Sequence, residues 1–291
     1  MSRVNAFPRT QIEGVSLSRM VIGTNWFLGW SHTSKASDDF IKSYQTRQTL
    51  AEILKVFMKA GVDAILGTRP ESEHLSLAVN DAEQATGRKM VRMSTPTLKL
   101  ADTPEAWAEN ERILDQHMKI GSQVCLPHQQ TTDALVCRRT RRIVMMDRIC
   151  KMIRQRGMIP GLSTHMPESP VYADETNLDV GTYIQIYNAA GFLMQIEVDW
   201  VHRMIWQRKK PVLTIKPMAA GRLMPLVGLA FSWATLRPQD MVCVGTLTPD
   251  QARELIDISL SILERRGSNV ELQRTRSKES VEARPALVGA K

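Results

Sequence analysis

The sequence has none of the marks of a secreted, disulfide-bonded or membrane-spanning protein. Its four cysteines are never spaced as C-x-x-C, which disfavours a zinc knuckle or a disulfide framework and fits a reducing compartment. Residues Met1–Thr10 lack the apolar core of a signal peptide. No apolar run approaches the roughly 18 residues of a membrane span. We therefore expect a cytoplasmic protein without a membrane contact.

Aromatic residues are scarce, at 5% of the chain, and none lies inside the densest basic cluster. That cluster is Arg138, Arg139, Arg141 and Arg142, which we interpret as the solvated start of a helix. The net charge of +8 permits attraction to anions. Basic residues without interleaved aromatics disfavour nucleic acid as a partner. A small-molecule substrate is the expected partner, and a homo-oligomer is compatible with the composition.

The chain also lacks the glycine-rich first turn of a doubly wound sheet, because Gly23 is followed by Thr24, Asn25 and Trp26. What it has instead is a series of short apolar runs of strand type, mostly separated by amphipathic helical patterns. These runs are Arg19–Gly23, Val62–Leu66, Met90–Ser94, Val124–Leu126, Met158–Ser163, Thr182–Tyr187, Pro211–Ile215 and Met241–Val244. Eight such units predict an α/β fold, a (β/α)₈ TIM barrel.

The predicted organisation is a hairpin or cap over residues 1–17, the barrel over 18–266 and a polar, flexible tail over 267–291. Phe27–Ser43 has no clear period and is predicted to be a long loop. His74, His117 and His202 fall in helical patterns and are expected at the surface.

In a TIM barrel, chemistry is found at the carboxyl ends of the strands. His128 follows the fourth predicted strand, His165 the fifth and Lys216 the seventh, and these three are the catalytic candidates. The candidates for substrate binding are Asn25, Trp26, His32, Arg69, Thr95, Tyr187, Asn188 and Arg222. His128 and His165, on neighbouring strands, are also a candidate metal pair, although no carboxylate stands at a diagnostic spacing.

Several motifs resemble the aldo/keto reductases in their order. These are Val15–Thr24, with its Ile-Gly-Thr ending, Gly61-Val62-Asp63, Leu126-Pro127-His128, Lys216–Arg222 and Val244–Asp250. The resemblance covers Val15 to about Leu263. It implies a barrel enzyme, a nicotinamide cofactor, and a catalytic set of tyrosine, lysine, aspartate and histidine.

Only the histidine of that set has a counterpart, His128. The second strand ends Ile65-Leu66-Gly67-Thr68 and the third ends Met93-Ser94-Thr95, without the expected aspartate, tyrosine or lysine. Ser163 and Gln185 match positions that contact the nicotinamide amide in this family, and are the candidate cofactor-binding residues. Because the aspartate, tyrosine and lysine are missing, reduction of a carbonyl by the family mechanism is disfavoured.

Three hypotheses follow. The first is a non-redox enzyme, a lyase, isomerase or hydrolase, acting on a polar carbonyl or sugar-like metabolite with His128 as acid and base. The second is an NAD(P)-dependent oxidoreductase whose proton donor has moved to Tyr187 or His128. The third is a non-catalytic binding protein on a degenerate barrel. The cofactor stays open between none, a divalent metal and NAD(P), because fold does not decide function.

Overall fold

The strands of the fold come from short apolar runs separated by polar turns. The computed structural model describes residues 6–282. Its strands are β1 (Arg9–Ile12), β2 (Val15–Ser18), β3 (Met20–Gly23), β4 (Ala64–Thr68), β5 (Val91–Ser94), β6 (Ser122–Cys125), β7 (Val136–Cys137), β8 (Arg142–Ile143), β9 (Ile159–Ser163), β10 (Thr182–Ile186), β11 (Val212–Ile215) and β12 (Met241–Val244).

The helices lie between these strands, except α11 and α12, which follow the last strand. They are α1 (Asn25–Leu28), α2 (Lys35–Tyr44), α3 (Arg47–Lys59), α4 (Glu73–Thr86), α5 (Pro104–Lys119), α6 (Gln129–Thr132), α7 (Met146–Gln155), α8 (Ser169–Glu175), α9 (Val198–Gln207), α10 (Pro225–Thr235), α11 (Pro249–Leu263) and α12 (Arg276–Glu282). Thr103 and Thr248 cap α5 and α11 with their side chains, and a proline occupies the first turn of each helix. None of the helices within residues 6–282 is long and apolar enough to cross a membrane.

The predicted barrel is confirmed. Eight parallel strands pair in the order β3-β4-β5-β6-β9-β10-β11-β12, and β12 pairs with β3 to close the sheet. One apolar cluster fills the barrel interior and includes Val21, Met93, Leu213 and Met241. A second cluster lies between the strands and the surrounding helices. Because most barrel strands are covered on both faces, most of their residues are apolar on both faces, with exceptions such as Arg92 in β5 and the exposed Gln123 in β6.

The N-terminal hairpin closes one end of this barrel. β1 and β2 pair in antiparallel register, and Ile12 and Leu17 are fully buried in the same cluster as the barrel interior. The prediction of a short hairpin ahead of the barrel is confirmed. Since the hairpin covers the amino ends of the strands, access to the barrel is left to the carboxyl ends.

The prediction of a long loop over Phe27–Ser43 was wrong, because α1 and α2 occupy most of it. Ser34 caps α2 by accepting a hydrogen bond from the Ser37 N–H. Only Ile41 of α2 is buried, which is why the apolar period was invisible in the sequence. A distant part of the chain also contacts this helix. Gln45, directly after α2, donates a hydrogen bond to the carbonyl of Leu247, which follows β12.

The arginine cluster also differs from its prediction as a helix start. Arg138–Arg141 forms the exposed turn of a small hairpin, β7–β8, and Arg142 begins β8. Arg138 pairs with Glu168 at 2.6 Å and Arg141 with Glu175 at 2.5 Å, so part of the local charge is neutralised. Exposed pairs of this kind contribute little to stability.

Two histidines expected at the surface are not there. His117 on α5 is only 5% exposed, and its Nδ1 has no hydrogen-bond partner among the described residues. His202 on α9 is half-buried, with Nδ1 3.1 Å from the Tyr187 hydroxyl.

The predicted tail begins at Gly267. Within it the structure contains α12, and residues 283–291 lie outside the described residues.

Candidate active site

A cavity of about 710 Å³ opens at the carboxyl ends of the barrel strands. The residues that line it come from the ends of all eight barrel strands and from the segments that follow them. It brings together ten of the candidate residues, which are Asn25, Trp26, His32, Arg69, Thr95, His128, Ser163, His165, Lys216 and Arg222. These residues are far apart in sequence, and the closed barrel alone makes them neighbours.

Lys216 forms the centre of a three-residue network in this cavity. Its Nζ lies 3.1 Å from Nε2 of His32, and Nδ2 of Asn25 lies 3.1 Å from the same nitrogen. The Asn25 amide nitrogen is a donor in any state, so His32 Nε2 is an acceptor and the imidazole proton is assigned to Nδ1. The network therefore holds His32 in its neutral form, and its single Nε2 lone pair faces both the Asn25 amide and the Lys216 amine.

Both members of the Lys216–His32 contact have strained backbones. Lys216 has φ +61° and His32 has φ +59°, in the left-handed region that non-glycine residues rarely adopt. Such conformations persist only where the surroundings determine them, and they concentrate at functional sites. For His32 the support comes from Asp38 on α2, which accepts from both the Ser31 N–H at 2.7 Å and the Ser31 hydroxyl at 2.6 Å.

Burial shifts the ionisation of this network. It lowers the pKa of Lys216, and the Cys243 thiol opposes that shift weakly. It also lowers the pKa of His32, an effect that the neighbouring Lys216 charge reinforces. Cys243, next to the last residue of the eighth barrel strand, lines the cavity wall, and burial raises its pKa to about 12. The thiol is therefore neutral at physiological pH, and the amine is the ionisable group of this wall.

His128 lies at the end of the fourth barrel strand, as expected. Its backbone N–H donates to the Pro96 carbonyl at 2.8 Å, and its Nδ1 accepts from the Gln130 N–H at 3.3 Å. This acceptor role assigns the ring proton to Nε2. Burial and then the Arg69 charge lower the pKa of His128, so the ring is neutral at pH 7.

His165 follows the fifth barrel strand, and a half-buried carboxyl group holds its backbone. Asp133 accepts from the His165 N–H at 3.0 Å and from the Thr164 hydroxyl. Burial, reinforced by Lys216, His128 and His32, lowers the pKa of His165 to about 4. All three histidines and the lysine line the same cavity.

Arg69 brings a second cation to the cavity. Its guanidinium stacks on Trp30 at 4.3 Å from the ring centre and makes only a loose pair with the exposed Glu71, at 3.6 Å. Gly67 makes this possible, because its φ of +94° bends β4 and its missing Cβ leaves room for the Thr24 hydroxyl. Arg69 thus presents a planar cation of the kind that binds carboxylate and phosphate groups.

The remaining lining residues supply walls and hydrogen-bonding groups. Trp26 packs against Gly245, where a Cβ would come within 2.9 Å of the ring. Arg222 lies on Phe192, 4.1 Å from its ring centre, at the exposed rim. Thr95 and the buried Ser163 contribute hydroxyl groups. Glu254 is the one carboxylate among the described lining residues, beside the three basic side chains of Arg69, Lys216 and Arg222.

No family model and no curated protein matches the sequence. Solved structures do match the fold. A putative aldo-keto reductase from Pseudomonas aeruginosa has a TM-score of 0.65 at 14% identity, covering 90% of this chain and 99% of that chain. An aldo-keto reductase from Klebsiella pneumoniae, solved in complex with NADPH, has a TM-score of 0.56 at 16% identity, covering 95% and 93%. The chain has the barrel fold of the aldo/keto reductases.

The same barrel is shared more widely. A truncated 3-deoxy-D-arabino-heptulosonate 7-phosphate synthase from Thermotoga maritima has a TM-score of 0.52 at 10% identity, covering 89% of this chain and 92% of that chain. At these identities the similarity establishes the fold alone, and the matching structures include a synthase as well as reductases. The reaction must therefore be argued from the side chains of the site.

Within this aldo/keto reductase fold, three candidate residues lie away from the cavity, which corrects their predicted positions. Tyr187 is buried against Phe231, and its hydroxyl meets His202 and Thr235. Asn188 is buried and exchanges hydrogen bonds with the backbone of Phe192. Gln185 is 2% exposed, and neither end of its amide has a partner among the described residues.

The predicted position of Gln185 was wrong because successive side chains of a strand point to opposite faces. Ile184, one residue earlier, lines the cavity, so Gln185 points to the opposite face of β10. Sequence reasoning also missed Cys243 and Glu254 as lining residues. Cys243 could have been found from its place at the end of the eighth strand, whereas Glu254 reaches the cavity from α11 and carries no signal in the sequence.

The proposed metal pair gains no third ligand. Within residues 6–282, no group of three or more His, Cys, Asp and Glu side chains is arranged to hold a metal ion. The charges that act on the rings of His128 and His165 include the cations Arg69 and Lys216, while the Asp133 carboxyl beside His165 is occupied by hydrogen bonds from Thr164 and the His165 N–H. Nearby cations oppose binding of another positive charge.

Proposed function

We propose that the protein is an enzyme that binds a small anionic carbonyl compound and transfers protons on it, as a lyase or isomerase does, without a nicotinamide cofactor. The observation that supports this most directly is the charge of the cavity lining. Arg69, Lys216 and Arg222 face it, with Glu254 the single described carboxylate and three neutral histidines between them. A confined positive site of this kind favours a substrate bearing a carboxylate or phosphate group.

His128 is the proposed acid and base. Its Nε2–H can donate to a carbonyl oxygen of the substrate, and the ring can accept a proton from the adjacent carbon once Nε2 is free. Its lowered pKa keeps the ring neutral at pH 7, which is the state that a general base needs. His165 is neutral under the same conditions, and its place beside His128 and Lys216 suits it to orient the substrate.

The lining does not fit a nicotinamide. Ser163 stands in the cavity where an amide contact is expected, but Gln185 points away and Ile184 takes the facing position. None of the described residues that line the cavity is a tyrosine, and Tyr187, the alternative proton donor, is buried outside it. The complexes of the Klebsiella pneumoniae proteins with NADPH and with NADP and acetate make NAD(P) the competing hypothesis.

The first experiment separates these hypotheses by cofactor binding. NADPH is titrated against tryptophan fluorescence, to which Trp26 in the cavity wall contributes. We expect no saturable binding below about 10 μM, which corresponds to roughly −7 kcal/mol. Tight, saturable binding of NADPH would overturn the proposed non-redox function.

The second experiment tests proton transfer directly. Dihydroxyacetone phosphate, glyceraldehyde 3-phosphate and pyruvate are incubated with the protein in deuterated water, and loss of their carbon-bound protons is followed by NMR. We expect enzyme-dependent exchange with at least one compound, reduced by about 100-fold or more in His128→Gln. The exposed histidine of α4 supplies the control, His74→Gln.

The third hypothesis, a non-catalytic binding protein, makes a different prediction in the same assay. It requires that phosphate-bearing compounds bind while their carbon-bound protons never exchange. Equal exchange by the wild type and His128→Gln would instead remove His128 from the mechanism. The cytoplasmic location stays a prediction from the cysteine pattern.

A further inference from the structure

We propose that Lys216 is a nucleophile, whose amine forms an imine with the aldehyde or ketone group of the anionic substrate. This inference rests on the proposed function, since it concerns the same cavity and the same class of carbonyl compound. It adds a covalent step and assigns a role to the Lys216–His32 contact, which anion binding alone does not require.

The first argument is the environment of the amine. Lys216 lines the cavity, and its Nζ has a single hydrogen bond among the described residues, to His32. No described carboxylate forms an ion pair with it, in contrast to Lys35, Lys55 and Lys89. A lysine serving only as a fixed cation would gain from such a partner. Burial without a counter-ion instead favours the neutral amine, which is the reactive form.

The second argument is the nitrogen that faces the amine. His32 Nε2 presents a lone pair 3.1 Å from Nζ, and Asn25 orients the ring. An amine that attacks a carbonyl must lose a proton in the same step or just after it. His32 is placed to accept that proton, and its low pKa lets it release the proton again.

The step balances with these groups alone. The nitrogen lone pair of Lys216 forms a bond to the carbonyl carbon, and the C=O π pair moves to oxygen. His32 takes one proton from the nitrogen and passes it to the oxygen, which gives a neutral carbinolamine. The remaining nitrogen lone pair then forms the C=N bond as the carbon–oxygen bond breaks, and His32 passes the second nitrogen proton to the departing hydroxyl, which leaves as water. The products are one imine and one water, with no oxidant or reductant.

The strained backbone is consistent with this role. The φ of +61° at Lys216 directs a non-glycine side chain into the cavity where β11 ends, and Ala219 and Ala220 continue the left-handed geometry at φ +49° and +55°. Arg69 lies on another part of the wall, at the end of β4. A substrate can therefore place its anionic group on Arg69 and its carbonyl on Lys216.

The test uses the full chain with two anionic aldehydes, glyoxylate and pyridoxal 5′-phosphate. Each is mixed with the protein, reduced with sodium cyanoborohydride, and analysed by intact mass and peptide mapping. We expect one dominant adduct on Lys216 and its loss in Lys216→Arg, which keeps the charge. Lys210→Arg is the matched control, because Lys210 is also partly buried but donates to the Leu178 carbonyl.

Two further readouts distinguish a nucleophile from a structural lysine. The rate of labelling should rise with pH, with a midpoint below the ordinary lysine pKa of 10.5. His32→Gln should slow adduct formation by about 10-fold or more without changing the position of the adduct. Absence of label on Lys216 with both aldehydes, or labelling unchanged in Lys216→Arg, would overturn the inference.

The two proposals fail in different ways. If the wild type catalyses proton exchange but is never labelled at Lys216, the imine is wrong and the proposed function stands, with Lys216 as an anion contact. If Lys216 is labelled but no compound undergoes exchange, the amine is a nucleophile and the proposed reaction class is wrong.

Discussion

At the scale of single residues, the site combines cations with neutral histidines. Neither Arg69 nor Lys216 has a close carboxylate partner, because Glu71 stands 3.6 Å from Arg69 and no described acid pairs with Lys216. Burial, and after it these charges, lowers the pKa values of His128 and His165. Both histidines are therefore neutral at pH 7, and the fixed positive charge of the cavity lies on its arginines.

Arg69→Gln tests where the anionic group binds. Loss of a charge-assisted hydrogen bond removes about 1.5–3 kcal/mol, so we expect the affinity for pyridoxal 5′-phosphate or inorganic phosphate to fall by about 10-fold or more. Isothermal titration calorimetry measures this. Arg138→Gln is the control, because Arg138 lies in the β7–β8 hairpin away from the cavity. An unchanged affinity in Arg69→Gln would place the anion elsewhere.

His117 gives a prediction about acid stability. Burial lowers its pKa from 6.5 to about 4, so the unfolded chain takes up a proton at pH values where the folded protein does not. The free energy of unfolding therefore falls as the pH falls from about 6.5 towards 4, by about 3 kcal/mol from this residue.

In His117→Gln this part of the acid sensitivity should vanish. Urea unfolding at about pH 7 and about pH 4.5 should show a smaller loss of stability in the variant than in the wild type. His74→Gln, on an exposed part of α4, should keep the full wild-type loss. An equal loss in His117→Gln would show that other groups account for it.

At the scale of elements, the sequence predicted every end of the barrel strands to within two residues, because buried β-branched runs and helix caps are local signals. It did not predict α2, whose stability depends on Gln45 bonding to Leu247 some 202 positions away. It could not decide which face of β10 meets the cavity. Ile184 and Gln185 are both buried, so the burial pattern does not show which of them faces the cavity.

Gly67→Ala tests the bend that brings Arg69 to the cavity. An added Cβ would lie 2.3 Å from the Thr24 hydroxyl oxygen, and φ is +94°. We expect a loss of stability clearly larger than that of Gly87→Ala, where φ is +66° and no atom lies within 4 Å. The control should cost about 1 kcal/mol and Gly67→Ala at least twice that.

Urea denaturation measures both glycine variants. Thr24→Ala combined with Gly67→Ala should recover part of the loss, because it removes the oxygen that the new Cβ meets. If Gly67→Ala and Gly87→Ala cost the same, the close approach of Thr24 does not constrain β4.

At the scale of the whole molecule, the two ends of the barrel have different roles. The carboxyl ends of the strands carry the cavity, and the amino ends carry the hairpin and a buried ionic network. In that network the fully buried Asp240 accepts from the Val212 N–H at 2.9 Å and from Arg237 Nη2 at 2.7 Å, while Arg19 Nε donates to its carbonyl at 2.9 Å.

Asp240→Ala should therefore reduce stability without changing the site. Removal of one partner leaves the Arg237 charge buried and unpaired, at a cost of about 3–5 kcal/mol. Urea denaturation should show this loss, and calorimetry on the folded variant should show unchanged affinity for pyridoxal 5′-phosphate. Asp250→Ala, which breaks an exposed pair with Arg253, should change neither quantity. Loss of affinity in folded Asp240→Ala would contradict the separation of roles.

The left-handed geometry of Lys216 has a consequence for protein engineering. Glycine adopts that backbone without strain, so Lys216→Gly should relieve about 1 kcal/mol of it. His32, at φ +59°, offers the same gain. A variant library screened for heat resistance alone is therefore expected to favour glycine at these two positions. Such a screen would select a more stable barrel that lacks both the reactive amine and its proton acceptor. Stability and activity commonly conflict in this way.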